Sequence, residues 1–184
     1  GESIIVGNGN TEDLTEYYIH GEPEDIVSKI TEDKSLRTHI LSVIVINPGI
    51  KKEELLEFFL QTLGGLQSSK ATLSFAINIS LRFLSSQQLI IKKGDRYAGT
   101  AFGKKTSMLY IDPLTATYFR DAIDNVSNQQ KHTFGFLHLM INCEEFFPKF
   151  SLRNKDYEPT SLMIENHSSE LIEAISEYDC SRSL

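Results

Sequence analysis

The chain has 184 residues, 40% of them hydrophobic and 23% charged, with a formal net charge of -7. That is room for one domain or two small ones with an ordinary globular core. It excludes an intrinsically disordered chain and a protein that coats nucleic acid through overall basicity. The charge is unevenly spread, however. Between Leu66 and Ile111 the cations Lys70, Arg82, Lys92, Lys93, Arg96, Lys104 and Lys105 face a single acid, Asp95. This stretch is a basic island in an acidic chain, suited to phosphates or an acidic partner surface.

In chain order, Ser3 to Val6 reads as a short strand that stops at Gly7-Asn8-Gly9. Residues 11–22 read as a connector. Pro23, Glu24 and Asp25 have the composition of a first helical turn, and the spacing predicts a helix through Ile26, Val27 and Ile30. A second helix carries Leu36, Ile40, Val43 and Ile44 and stops at Asn47-Pro48-Gly49. A third begins near Lys51, carries Leu55, Leu56, Phe59, Leu60 and Leu63, and ends at Gly64-Gly65; a fourth follows Ser68-Ser69 with Leu73, Ile77, Leu81 and Leu84. Residues 89–93 (LIIKK) and Arg96-Tyr97-Ala98 flank Gly94-Asp95, which predicts a hairpin with a type II′ turn. Asp112-Pro113 reads as N-cap and first-turn proline of a helix with Leu114, Tyr118, Phe119, Ala122 and Ile123. Another helix is expected around Phe134 to Phe146, and one or two more over residues 156–178. The expected fold is therefore mainly α: a winged-helix domain, helices plus a small β-hairpin, followed by a partial helical bundle.

Catalytic signatures are weak throughout. Gly7 and Gly9 are followed by Glu12 where a dinucleotide fingerprint needs glycine. Gly103-Lys104 imitates a phosphate loop, but Ala98 stands where its first glycine belongs and Lys105 where its Ser or Thr belongs. His20, His39, His132, His138 and His167 have no metal-ligand spacing, so no metal site is expected. Cys143 and Cys180 form no CxxC, as suits a reducing compartment. Asp112, Glu144, Glu145 and His138 could be assembled into an acid–base site, but the sequence alone brings no pair of them together. Asp112 already has a capping role, and His138 sits among Phe136, Leu137, Leu139 and Met140, which places it in or near a core. Tyr110 and Tyr118 read as core or interface aromatics. No apolar run reaches the roughly 18 residues of a membrane helix, and no signal peptide is visible.

Residues 18–30 (YIHGEPEDIVSKI), 100–115 (TAFGKKTSMLYIDPLT) and 136–146 (FLHLMINCEEF) resemble the archaeal superfamily-2 repair DNA helicases of the Holliday-junction-migration type. In that family two ATP-binding motor domains precede a winged helix and a helical ratchet. The resemblance implies that residues 1–22 are the tail of the second motor domain and a linker. It likewise implies that 23–112 are the winged helix and that 113–184 open the ratchet. With no phosphate loop, DExH box or motor arginine motif, the chain is expected to be a fragment without activity of its own. ATP and Mg would belong to the parent, a cytoplasmic enzyme of repair or replication-fork restart. The expected partners are the motor domains and, weakly and non-specifically, single-stranded or forked DNA. The residues expected at the surface contacts are Arg82, Lys92, Lys93, Arg96, Lys104 and Lys105, through phosphate neutralisation or docking on an acidic domain. The alternative is a free-standing winged-helix regulator that reads bases with the helix from Lys70 to Gln88. Within that helix only Asn78 and Arg82 are strong base readers, with Gln87 and Gln88 at its end. A partial bundle also leaves apolar surface uncovered, so association or local disorder is expected near residues 150–184.

Overall fold

A computed structural model describes residues 4, 6–22, 25–30, 32–126, 132–146 and 152–172. It is mainly helical, with one small antiparallel sheet. Five residues, Thr11–Thr15, form α1, which continues as a π-helical turn over Glu16–His20; the expected connector is thus helical, opened by the Asn10 side chain accepting from the Glu12 N–H. The expected strand at 3–6 is not formed by its described members, since Ile4 and Val6 are exposed and belong to no strand; Ser3 and Ile5 lie outside the described residues.

The core unit is built from α2 (Asp33–Ile46), β1 (Ile50–Lys51), α3 (Lys52–Leu60), α4 (Leu63–Gln67), α5 (Lys70–Ser86), β2 (Ile90–Lys93), β3 (Arg96–Gly99) and α6 (Ala101–Met108). Its apolar positions recur every three or four residues, so each helix has one face to bury. Leu36, Ile40 and Ile44 of α2, Leu55 and Phe59 of α3, Leu73, Ile77 and Leu84 of α5, and Leu89 and Ile90 close one cluster. The sheet has the order β1-β3-β2, with Lys93 opposite Arg96 across the two-residue loop Gly94-Asp95. Gly94 has φ +63° while Asp95 has no positive φ, as a type II′ turn requires. Helices followed by a hairpin, with a third short strand at the sheet edge, make a winged-helix-like fold. The two-residue β1 leaves no alternating pattern long enough to be seen in the sequence.

Two expected boundaries move. Residues 25–30 are not helical. Ile26 and Val27 are exposed, and the backbone is bonded by the Gln67 side chain rather than by helical hydrogen bonds. Pro23 and Glu24 lie outside the described residues. Gly64-Gly65 do not end α3, which stops at Leu60; they lie buried inside α4, whose N-cap Thr62 accepts from the Gly65 N–H. A Cβ on Gly65 would fall 2.2 Å from the Phe59 carbonyl oxygen, so the pair serves close packing rather than chain reversal.

Downstream, α7 (Pro113–Asp124) is capped by Asp112 as expected, its carboxylate accepting from the Leu114 N–H. Then come α8 (Thr133–Asn142), a 3-10 turn at Asn154–Asp156, α9 (Tyr157–His167) and a second 3-10 turn at Ser168–Glu170. Helix α8 ends earlier than expected, at Cys143, whose backbone leaves the helical region. Leu139 and Leu171 are buried here, and Gly135 lies against the Glu170 carbonyl, where a Cβ would come within 2.3 Å. Phe147 to Ser151 and residues 173–184, including Cys180, lie outside the described residues.

Candidate nucleic-acid and domain-docking surfaces

All six cations singled out in the sequence are exposed, but they do not form one cluster. Lys92, Lys93 and Arg96 stand together on the hairpin, where Lys93 and Arg96 are cross-strand neighbours and Lys92 faces Tyr97. The Lys92 ammonium lies over the Tyr97 ring, 5.6 Å from its centroid. Arg96 donates from Nη1 to the Gly49 carbonyl at 2.8 Å, which turns its guanidinium towards β1. Like charges opposite each other in a ladder cost stability, and this tip relieves them through Asp95, which pairs with Lys51 at 2.7 Å. The Lys51 hydrogen bond holds the Asp95 carboxyl below the usual carboxylate range. Lys51, on β1 opposite Arg96, is the cation beside the hairpin that its sequence did not single out. Lys104 and Lys105 stand on α6, Lys104 with its stem against Gly99 of β3. Arg82 stands apart on the outer face of α5, its side chain making no hydrogen bond or ion pair with a described residue.

Gly103 has a use unrelated to phosphates. A Cβ there would lie 1.9 Å from the Leu89 carbonyl oxygen, so its absence lets α6 sit on the chain entering β2. Its N–H donates to the hydroxyl of the N-cap Thr100, which itself donates to the Gln88 carbonyl.

The second candidate site is the joint between α7 and the winged-helix-like unit. Arg37 of α2 donates through Nε to Asp112 Oδ1 at 2.7 Å and through Nη2 to Oδ2, a two-pronged bond to a carboxylate that is 1% exposed. That bond, opposed by burial, raises the pKa of Arg37 above its ordinary value. The guanidinium also lies 5.7 Å from the centroid of the Phe83 ring. Glu145, beyond α8, accepts from the Asp112 N–H with both oxygens, at 3.2 and 3.1 Å. Near the other end of α7, Arg120 donates to the carbonyl and to the side-chain oxygen of Gln87, at the close of α5, at 2.7 and 3.1 Å. It also lies over Phe102 of α6. The Asp112 cap was legible in the sequence; its arginine partner was not, although a cation beside Leu36 and one turn before Leu41 was the available signal.

Two of the acid–base candidates, Asp112 and Glu145, meet at this joint. Asp112 is saturated by Arg37 and by its own helix, and Glu145 meets its backbone rather than its carboxylate. Half-buried His138 faces Asn142 through Nε2 at 3.3 Å, while its Nδ1 has no partner among the described residues. Tyr110 is 87% exposed with φ +57°, which removes it from the core. The Cys143 thiol donates to the Met140 carbonyl at 3.0 Å. Among the described residues no group of three His, Cys, Asp or Glu side chains is placed to hold a metal, and no helix is long and apolar enough to cross a membrane.

No family model matches the chain. Curated relatives do: over 99% of its length it is 31% identical to the ATP-dependent DNA helicase Hel308 of Thermococcus kodakarensis. The chain is similar to a segment of Hel308. It is also 29% identical over 94% of its length to Hel308 of Methanocella arvoryzae, and 30% over 95% to that of Methanocaldococcus jannaschii. It spans only 16%, 23% and 15% of those three Hel308 proteins. The resemblance to archaeal DNA helicases expected from the sequence therefore holds along nearly the whole chain, and it holds for a small part of each Hel308.

Proposed function

We propose that this chain is a non-catalytic brace within an ATP-dependent DNA helicase, residues 23–112 forming the winged helix and 113–184 the opening of the ratchet. In this reading it holds the ratchet against the motor domains of the same protein and touches DNA phosphates weakly. ATP binding and hydrolysis, repair or fork restart, and the cytoplasmic setting belong to the whole enzyme. The observation that carries the reading is the double attachment of α7: Arg37 grips its first turn and Arg120 ties its last turns to the end of α5. A helix fixed at both ends passes on position rather than swinging freely.

The hairpin cations Lys92, Lys93 and Arg96 supply the phosphate contacts, with Lys104 and Lys105 behind them and Arg82 a separate contact. Base reading is disfavoured by the outer face of α5, where Phe75 and Ile79 are 67% and 44% exposed. A groove-reading helix needs hydrogen-bonding groups there. The test is fluorescence anisotropy with labelled single-stranded, forked and blunt DNA at two salt concentrations. Weak binding without sequence preference, lost as salt rises, is expected. Charge reversal at Lys92, Lys93 and Arg96 flattens the salt slope by about two to three units of log K per log salt, near one for each phosphate no longer neutralised. Tight binding to one duplex sequence would replace the brace with a regulator. Affinity for DNA and for added motor domains left unchanged by reversing all six cations would remove the assignment of these residues.

A further inference from the structure

We propose that residues 25–30 form a releasable strap, clipped to the winged-helix-like unit by the side-chain amide of Gln67. The Gln67 Oε1 accepts from the Ser28 N–H at 2.8 Å, and its Nε2 donates to the Ile26 carbonyl at 2.7 Å. One side chain thus does for the strap what a neighbouring strand does for a β-strand, satisfying a donor and an acceptor two residues apart. The Ser28 hydroxyl turns back to accept from the Ile30 N–H at 3.3 Å. Ile30 then sits over α4, packed on the edge of the core. The seat is made by a missing side chain: a Cβ on Gly64 would lie 2.1 Å from Ile30 Cγ2 and 3.0 Å from Ser28 Oγ.

The hold is specific yet slight. Ile26 and Val27 are 77% and 74% exposed, so the strap buries little apolar surface besides Ile30. Its two longest-range hydrogen bonds are exposed and both depend on Gln67, itself on the surface. Few buried contacts and solvent-exposed hydrogen bonds are the features of a segment that opens without global unfolding. In chain order the strap lies between residues 6–22 and α2. Undoing one amide therefore lengthens the tether ahead of α2 while the core beneath stays packed. If the brace reading holds, a pull from the preceding part of the enzyme reaches this clip before it reaches the core.

Amide hydrogen exchange on the full 184-residue chain tests this, by NMR at single-residue resolution. In the native chain the Ser28 amide is expected to be protected, but less than those of Ile44 and Ile77. Gln67→Ala speeds exchange at Ser28 by about tenfold, the size expected for losing hydrogen bonds of this kind, and leaves Ile44 and Ile77 unchanged. Gln67→Glu keeps an acceptor for Ser28 and so preserves more of its protection. An unprotected Ser28 in the native chain would overturn the clip. So would unchanged Ser28 exchange in Gln67→Ala, or Ser28 and core amides accelerating together. None of these readouts involves DNA, so the strap and the brace stand or fall separately.

Discussion

Arg37 and Gln88 show opposite kinds of residue cost. Arg37 neutralises a carboxylate that has almost no access to water, so removing it strands a buried charge. Arg37→Ala is expected to destabilise the chain by about 3–5 kcal/mol, read from urea midpoints. The double variant Arg37→Met with Asp112→Asn recovers much of that loss. Gln88, by contrast, occupies the left-handed position just past α5, with φ 58°. Its N–H reaches the Ser85 carbonyl, and the next N–H, of Leu89, reaches that of Leu84. This is the helix ending in which glycine is the usual occupant. Gln88→Gly keeps both bonds and relieves the crowding, and is expected to stabilise by about 0.5–1 kcal/mol. Asp95 sets a pH dependence. Its carboxyl is depressed by Lys51, so the contribution to the folded hairpin is present above the ordinary carboxylate range. It is lost as pH falls through the depressed value. Lys51→Met is expected to move the Asp95 titration upward in a carboxyl NMR experiment; an unmoved midpoint refutes the pairing.

At the scale of elements, the glycines of short helices carry the packing. Gly103 lets α6 approach the Leu89 carbonyl, and Thr100 bonds both elements. Gly103→Ala is expected to cost about 1–3 kcal/mol, the range for overpacking, and to disturb amides of β2 before those of α3. What the sequence made legible follows the same division. Elements with a long periodic face, α2, α5 and α7, and the Gly94 turn were readable, because burial of one face fixes them locally. The strap, β1 and α4 were not. Each is short and owes its form to a residue far along the chain: Gln67 for the strap, Tyr97 and Arg96 for β1, Ile30 for Gly64 of α4. The candidate site divides likewise. Exposed lysines show in composition, whereas which of them gather on one hairpin depends on register.

Taken whole, the described residues carry two packed centres of unequal size. The larger lies between Leu36 and Tyr97, and α7 is fastened to it; in the smaller, Gly135 of α8 lies against the segment after α9, and Leu139 and Leu171 are buried. Leu139→Ala, creating a cavity, is expected to cost the smaller centre about 2–5 kcal/mol. Amide exchange then rises in α8 while Ile44 and Ile77 keep their protection. Loss of protection across both centres would show a single cooperative unit instead. Leu162 and Met163 on α9 are exposed.

The bond between Arg37 and Asp112 also constrains how such sequences drift. Either residue alone is costly to replace: losing the arginine leaves a buried anion, and losing the aspartate leaves a guanidinium in a setting built around a carboxylate and removes the cap of α7. The two positions, 75 residues apart, are therefore free to change mainly in concert. Across a deep set of related sequences, substitutions at one should be accompanied by substitutions at the other, an inherited partnership recorded in descent.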